Sequence, residues 1–546
     1  MDTHTNLPSF ELPNDPILLR EMVVSLSSEK VGWEAEKRAL EIEQERLRHQ
    51  ASYLQSQLNI LTAKLFARSS EKRKHWADGL PTLFDEAEFV VASTPAEEEA
   101  STEEDVTDSS KQTKPRTKKP GRKPLPEALP RVDVVHDLPE SERVCDLDGS
   151  ELVEIGREYS EQLDIIPAKV QVIRHVQIKY GCPHCHQGVK TKPMPPRIIP
   201  KVLATAAMLA HVVASKYADG LPLYRQNGIL IRAGIDIPRS TLANWTIKSG
   251  QSIQPIINLL RDFLLAYGLI QMDETTVQVL KEADRLATSK SYMWVQKGGP
   301  PDKPVILFDY DASRAGTVPK ELLLGFTGFL QTDGYAGYRS VASNPDIVHV
   351  GCFAHARRKF DEAVKALGPA GRKNPGKAAD ALTFIGRLYA IEKELREKQA
   401  APEIRYATRQ SHAKPILDEL KTWADATLLT VPPKTALGVA LGYLLNHWPR
   451  LIRYLNDGRL EIDNNAVENA IRPFVIGRKG WLFSDSVRGV KASANLYSLI
   501  ETAKANGLEP FAYLRHLFTQ LPLATTVDDY ENLLPWNVDK AILSMD

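Results

Sequence analysis

The chain has 546 residues, with 69 basic and 69 acidic side chains, 43% hydrophobic residues and four cysteines. Its length calls for several domains, each with its own core. Four cysteines are too few for a disulfide framework, the longest apolar stretch (202–215) is interrupted by His211 and too short to span a bilayer, and zero net charge excludes a uniformly basic nucleic-acid binder. The chain opens without a secretory signal pattern, so a soluble protein of the reducing cytosol is expected.

Residues 14–68 form the first predicted element. Leu19, Leu26, Trp33, Leu40, Leu47, Leu54 and Leu61 recur every seventh residue, with Val23, Leu58 and Leu65 in the companion seam position. A period held over so many turns predicts a coiled-coil helix that pairs with a second copy. Residues 69–130 read as a linker, poor in apolar period and rich in Ser, Thr, Pro and charge. It is acidic first (Glu97, Glu98, Glu99, Glu103, Glu104, Asp105) and basic afterwards, with Lys118, Lys119, Arg122 and Lys123 around Pro120-Gly121. The basic run is either a minor-groove hook or a solvated tether that attracts phosphate without specificity.

Residues 131–200 predict a small β-rich, zinc-finger-like module. Cys182 and Cys185 form a CxxC after a strand, Cys145 lies upstream, and Asp148, His184 or His186 is left to complete a tetrahedral Zn²⁺ site. Residues 201–260 predict a helix–turn–helix domain. An apolar-faced helix runs over 221–231, Ala233-Gly234-Ile235 turns, and a second helix starts after Pro238 with Arg239, Ser240 and Asn244 placed to meet DNA.

From residue 261 the pattern becomes mixed. Strands are predicted over 269–275, 291–296, 305–310, 329–333 and 347–351. Residues 361–460 read as an all-helical insertion, with Leu382, Ile385, Leu388, Ile391 and Leu395 on one face. A further helix in 461–510 carries Glu468, with Asp463 or Asn464 able to cap its start. Residues 511–546 read as a helical, partly extended tail.

Three segments in this region carry chemistry. Asp273 and Asp333 each follow an apolar run and so stand at or near the ends of buried strands, and Glu468 lies on a helix with Arg472 one turn on. A carboxylate directly after an apolar run is costly to bury unless a cation neutralises it. Two strand-borne aspartates and one helix-borne glutamate are the oxygen ligands of a two-Mg²⁺ phosphoryl-transfer site, whose ions stand about 3.5–4 Å apart. Glu274 should point away from such a site, because neighbours on a strand face opposite ways. Asp309, Asp311 and Asp463 are the competing carboxylates, with Asp309 the first replacement. Arg357, Arg358, Lys359, Arg472, Arg478 and Lys479 are suited to clamping phosphates or to pairing with nearby acids. His355 either touches DNA or caps a helix.

These stretches carry a family resemblance. Met272-Asp273-Glu274-Thr275, Thr332-Asp333-Gly334-Tyr335, Ala354-His355-Ala356-Arg357-Arg358-Lys359-Phe360 and the run from Ile462 through Asn464, Asn465 and Glu468 to Pro473 resemble the DDE transposases of the insertion-sequence-66 family. Leu496–Lys504 and Leu534-Pro535-Trp536-Asn537 extend the likeness over nearly the whole chain. The resemblance implies an α/β fold class with an RNase H-like catalytic core. It also implies Asp273, Asp333 and Glu468 as ligands to Mg²⁺ (Mn²⁺ substituting), and cleavage and strand transfer at transposon ends. The partners implied are the terminal inverted repeats, target DNA, a second subunit or more, and accessory proteins encoded by the element, in the bacterial cytosol near the nucleoid, with no membrane. The family carries a second CxxC where this chain has Cys145-Asp146-Leu147-Asp148. The alternatives from other classes are a catalytically silent DNA-binding regulator and an RNase H-fold nuclease or resolvase.

Overall fold

The computed structural model describes residues 15–66, 170–181, 189–367 and 376–543. The basic run with Lys118, Lys119, Arg122 and Lys123, and the cysteines Cys145, Cys182 and Cys185, lie outside them. The chain divides into two compact units, Met1–Glu86 with Gln177–Asp546, and Ala87–Val176; the elements below belong to the first.

Helix α1 (Pro16–Phe66) is continuous, as the heptad predicted, and exposes Leu26, Trp33, Leu40, Leu47, Leu54 and Leu58 to solvent. A short antiparallel pair, β1 (Lys179–Gly181) and β2 (Val189–Thr191), follows. Next come α2 (Ala206–Tyr217), capped by Thr205, α3 (Leu223–Arg232) and α4 (Arg239–Ser252). Between α3 and α4, Gly234 adopts a φ of 89°, the left-handed turn that glycine permits. Helix α5 (Gln254–Ala266) then leads into a mixed sheet.

That sheet has the order β5-β4-β3-β6-β7, built from β3 (Leu269–Lys281), β4 (Lys290–Gly298), β5 (Val305–Asp311), β6 (Gly328–Gln331) and β7 (Ile347–Val350). The first three run as an antiparallel meander, while β6 and β7 run parallel to β3. Met293–Gln296 and Val305–Phe308 are buried without alternation, which marks strands covered on both faces. All five predicted strands are present. Their bounds shift by a residue or two, except that β3 continues to Lys281 because it pairs with β4 and with the short β8 (Ser484–Ser486); β6 stops at Gln331, leaving Asp333 in the turn beyond it.

The insertion follows β7 rather than the fourth strand. After α6 (Phe353–Ala366) it comprises α7 (Gly376–Glu397), α8 (Pro402–Thr408), α9 (Lys414–Leu428) and α10 (Ala436–Leu451). Its core of Ile385, Leu388, Leu417, Leu420, Leu441 and Leu444 joins Phe353, Phe360 and Val350 beside the sheet. Helix α11 (Asn465–Trp481) crosses β3 and β4, and α12 (Val487–Ala505) covers β5. The edge strand is closed by side chains: Thr502 Oγ1 accepts from Ile306 N (3.0 Å) and donates to Ile306 O (2.9 Å), while Ser498 Oγ accepts from Phe308 N (2.7 Å). Hydroxyls one helical turn apart thus satisfy an edge that would otherwise pair with another chain. The tail is helical, α13 (Pro510–Gln520) packing on α2. No helix among the described residues is long and apolar enough to cross a membrane.

Candidate active site

The geometry starts from the register of β3 and β6. Leu269 pairs with Phe329, Ile270 with Leu330 and Gln271 with Gln331. Asp273 lies two residues beyond the last of these pairs on β3, and Asp333 two residues past the end of β6, near enough for its charge to act on Asp273. Strand alternation puts Gln271 and Asp273 on one face, where Gln271 Nε2 donates to Gln331 Oε1 (2.8 Å). Glu274 faces the other way, accepting from Tyr338 Oη (2.7 Å) and pairing with Arg314. Its charge nevertheless acts on both Asp273 and Asp333.

Beyond β6 the chain turns tightly. Thr332 N still bonds Val350 O (3.1 Å), and Asp333 Oδ1 accepts from Tyr335 N (2.8 Å). Gly334 leaves no room for a side chain, since a Cβ there would lie 2.8 Å from Tyr443 Oη and 3.0 Å from His447 Nε2 of α10. The helical insertion therefore walls one side of the Asp333 turn.

Glu468 stands in the first turn of α11, and the segment before it is held at almost every residue. Arg409 donates to the carbonyls of Tyr454 (3.0 Å), Asp457 (3.0 Å) and Leu460 (2.8 Å) while pairing with Glu392. Gln331 Nε2 donates to Glu461 O (2.7 Å), Phe353 N to Ile462 O (3.1 Å) and Gln271 Nε2 to Asp463 O (3.2 Å). Tyr389 Oη donates to Asp463 Oδ2 (2.8 Å), and Asn464 N to Cys352 Sγ (3.4 Å). The paired glutamines thus bind the irregular segment that leads into the helix carrying Glu468. Asn464 occupies the cap position of α11 without a side-chain cap bond; the first-turn bond runs from Asn465 N to Asp463 Oδ1 (3.1 Å).

The charges of the three carboxylates interact. Burial first, then Glu274, and further Glu468 and Asp333, push Asp273 up to about 8 against the backbone bond from Glu274. Burial also raises Glu468; Asp463 and Asp333 add to the rise, and Arg358 and Arg472 oppose it. Buried like charges of this kind call for a cation, and three carboxylates are a hard-oxygen donor set that suits Mg²⁺.

The other candidates fall into groups. Arg358 Nη2 lies 3.8 Å from Glu468 Oε2, and Arg472 acts on Glu468 electrostatically. Arg357 faces Tyr389, and Lys359 pairs with Glu362 at 3.3 Å. Arg478 donates to Thr275 and Thr276 (3.3 and 3.1 Å), and Lys479 is exposed. Arg239, Ser240 and Asn244 are exposed on α4. Asp309 is engaged by Arg261 (2.6 Å) and Gln296 (2.8 Å), Asp311 accepts from Ser313 N (2.7 Å), and Asp463 is engaged as above. His355 Nδ1 sits 3.8 Å from Glu468 Oε1, a contact the sequence reading missed together with Cys352, Gln271 and Gln331. The Cys-x-x-His spacing at 352–355 was the available signal.

Comparisons with known proteins match four segments of the chain to one family. Residues 201–492 match the family described as "Transposase IS66 family", and 498–536 match the "IS66 C-terminal element". Residues 142–186 match the "zinc-finger binding domain of transposase IS66", and 53–134 the "Transposase C of IS166 homeodomain". Uncharacterized protein y4jD of Sinorhizobium fredii (strain NBRC 101917 / NGR234) is 35% identical over 76% of this chain and 81% of its own. Uncharacterized protein y4qI of the same organism is 30% identical over 97% of this chain and 98% of its own.

Proposed function

The chain belongs to the IS66 transposase family, and we propose that within it this protein cuts DNA at the ends of its element and joins them to target DNA. What supports the proposal is that the charges of Asp273, Asp333 and Glu468 act on one another beyond the β3–β6 pairing; among the described residues these three are not a group with ligand atoms within 4.8 Å of one another, so binding of the ions would draw them together. The sheet order, an antiparallel three-strand meander followed by two parallel strands, supports the RNase H-like reading of the core.

In this reading Asp273, Asp333 and Glu468 hold two Mg²⁺ ions, with Mn²⁺ able to substitute. When bound, the ions activate the attacking oxygen and stabilise the leaving 3′-oxygen. The protein's own part is placement. Gln271 and Gln331 fix the approach of the Glu468 segment, Gly334 lets α10 close against the Asp333 turn, and Arg358 and Arg472 add positive charge where a phosphate would enter. The exposed start of α4, with Arg239, Ser240 and Asn244, suits the major groove. The heptad face of α1 suits pairing of two subunits, each holding one element end. The Cys145, Cys182 and Cys185 set is proposed to hold Zn²⁺, consistent with the matched zinc-finger segment. The place of action is the bacterial cytosol, with element-encoded accessory proteins as further partners.

The test is Mg²⁺-dependent cleavage and joining of DNA carrying the terminal repeats that flank the gene. Asp273→Asn, Asp333→Asn and Glu468→Gln should each abolish both steps while leaving end binding intact. Cleavage without joining would favour a nuclease or resolvase. End binding with neither step in the unmodified protein would favour a silent regulator.

A further inference from the structure

Glu468 faces two groups of different chemistry. Oε2 lies 3.8 Å from Arg358, whereas Oε1 is buried, has no hydrogen-bond partner among the described residues and lies 3.8 Å from His355 Nδ1. That nitrogen is also buried without a partner, and the Glu468 side chain is only 7% exposed. The Cys352 thiol completes a triangle: one ligand atom from each of Cys352, His355 and Glu468 lies within 4.8 Å of the other two. Two orphaned polar atoms buried face to face are costly and point to a missing partner.

Sulfur, imidazole nitrogen and carboxylate oxygen are not the donors of Mg²⁺, which takes oxygen ligands; they select zinc-class ions. We propose that Cys352, His355 and Glu468 form a second metal site for a thiophilic divalent cation of the zinc class, whose filling draws Glu468 away from Asp273 and Asp333. Bonds of about 2.3 Å to sulfur and 2.0 Å to nitrogen or oxygen set tetrahedral ligand atoms about 3.5 Å apart, so rotations of about 1 Å close the triangle. On binding, the thiol proton passes to solvent and the fourth position is left to water. Burial first, and then the charges of Asp463 and Glu468, push the Cys352 thiol well up against the backbone N–H groups of Asn464 and His355, so an entering cation has to displace the thiol proton. The site stands on its own geometry; its effect on cleavage rests on the DDE reading.

The first test counts zinc bound by the chelator-stripped full-length protein at equilibrium with ZnCl₂. Cys352→Ala, His355→Gln and Glu468→Gln should each lose one equivalent or bind it at least about tenfold more weakly. Equal stoichiometry and affinity in all four proteins overturns the site, and His355→Gln and Glu468→Gln decide the matter if Cys352→Ala does not fold. The second test measures Mg²⁺-supported cleavage in rising ZnCl₂, each protein scaled to its own zinc-free rate. Half-inhibition of Cys352→Ala should need at least about tenfold more zinc than the unmodified protein; equal sensitivity overturns the link to Glu468. Asp273→Asn should lose cleavage and keep the zinc equivalent. An active Asp273→Asn would sink the DDE reading while leaving the zinc count to judge the site.

Discussion

Replacing Asp273 by asparagine should make the protein more stable whenever divalent cations are absent. The carboxyl titrates near 3.8 in an unfolded chain and near about 8 in the fold, mainly because it is buried and secondly because Glu274, Glu468 and Asp333 surround it. Between those values the native state binds the proton more tightly than the unfolded state does. Native stability therefore falls as pH rises from 3.8 towards 8 and levels off above. At about 1.4 kcal/mol per tenfold, the full cost at pH 7 is about 4 kcal/mol. Part of the carboxyl meets solvent, so a working value of about 2 kcal/mol is appropriate. Asparagine keeps an acceptor for Glu274 N and removes the charge. In thermal unfolding with EDTA, Asp273→Asn should melt about 4 °C higher than the unmodified protein at pH 7.5, and the gap should shrink to about a third at pH 5 and close below about pH 4. Adding Mg²⁺ should raise the unmodified protein and leave the variant unmoved. Parallel pH profiles for the two proteins, or a variant less stable at every pH, would refute the argument that buried like charge dominates this site.

Arg409→Met leaves the fully buried Glu392 with only the longer, 3.4 Å contact to Arg405 and should cost about 3 kcal/mol in denaturant unfolding, with much of the loss recovered in Arg409→Met/Glu392→Leu. Ser498→Ala and Thr502→Ala each remove hydrogen bonds to the β5 edge and should cost about 1 kcal/mol apiece; light scattering on heating should show the double variant aggregating first. Gln331→Leu deletes the donor to Glu461 O and should raise the Mg²⁺ needed for half-maximal cleavage about tenfold. End affinity should not change, and a lower rate with an unaltered Mg²⁺ midpoint would contradict the positioning role. Arg239→Ala should weaken DNA binding and lower the slope of log K against log salt by about 1, as gel shifts over a salt series would read, with the Mg²⁺ dependence of cleavage untouched.

The strands could be read from the sequence because local burial dictates them. Val305–Phe308 and Met293–Gln296 are apolar or neutral runs with no solvent face to offer, and the spans predicted for them needed only a residue or two of correction. The length of β3 was not legible, because its last residues are fixed by partners far along the chain in β8. Asp273 and Asp333 stood out because each is a charge set beside an apolar run, and Glu468 because it sits on a helix with a cappable start and Arg472 one turn on. Cys352 and His355 did not, since their meaning depends on Oε1 of a glutamate from a distant helix. The glutamines were silent for a different reason. A buried neutral amide costs little to place when all its N–H groups are used, so it leaves no trace in hydropathy or charge.

That silence bears on how the site is built. Three carboxylates that repel one another cannot be held together by their own contacts; the scaffold has to hold them against that repulsion. Here the restraint is neutral and mostly backbone-directed. The amides of Gln271 and Gln331 grip the carbonyls of Asp463 and Glu461, and Arg409 grips those of Tyr454, Asp457 and Leu460. Because Arg409 is anchored by Glu392 on α7, the insertion is coupled to the approach of Glu468 rather than merely appended to the sheet. A charge placed on either amide would add to the repulsion it now resists, whereas a neutral donor fixes the geometry and leaves the field to the bound cations.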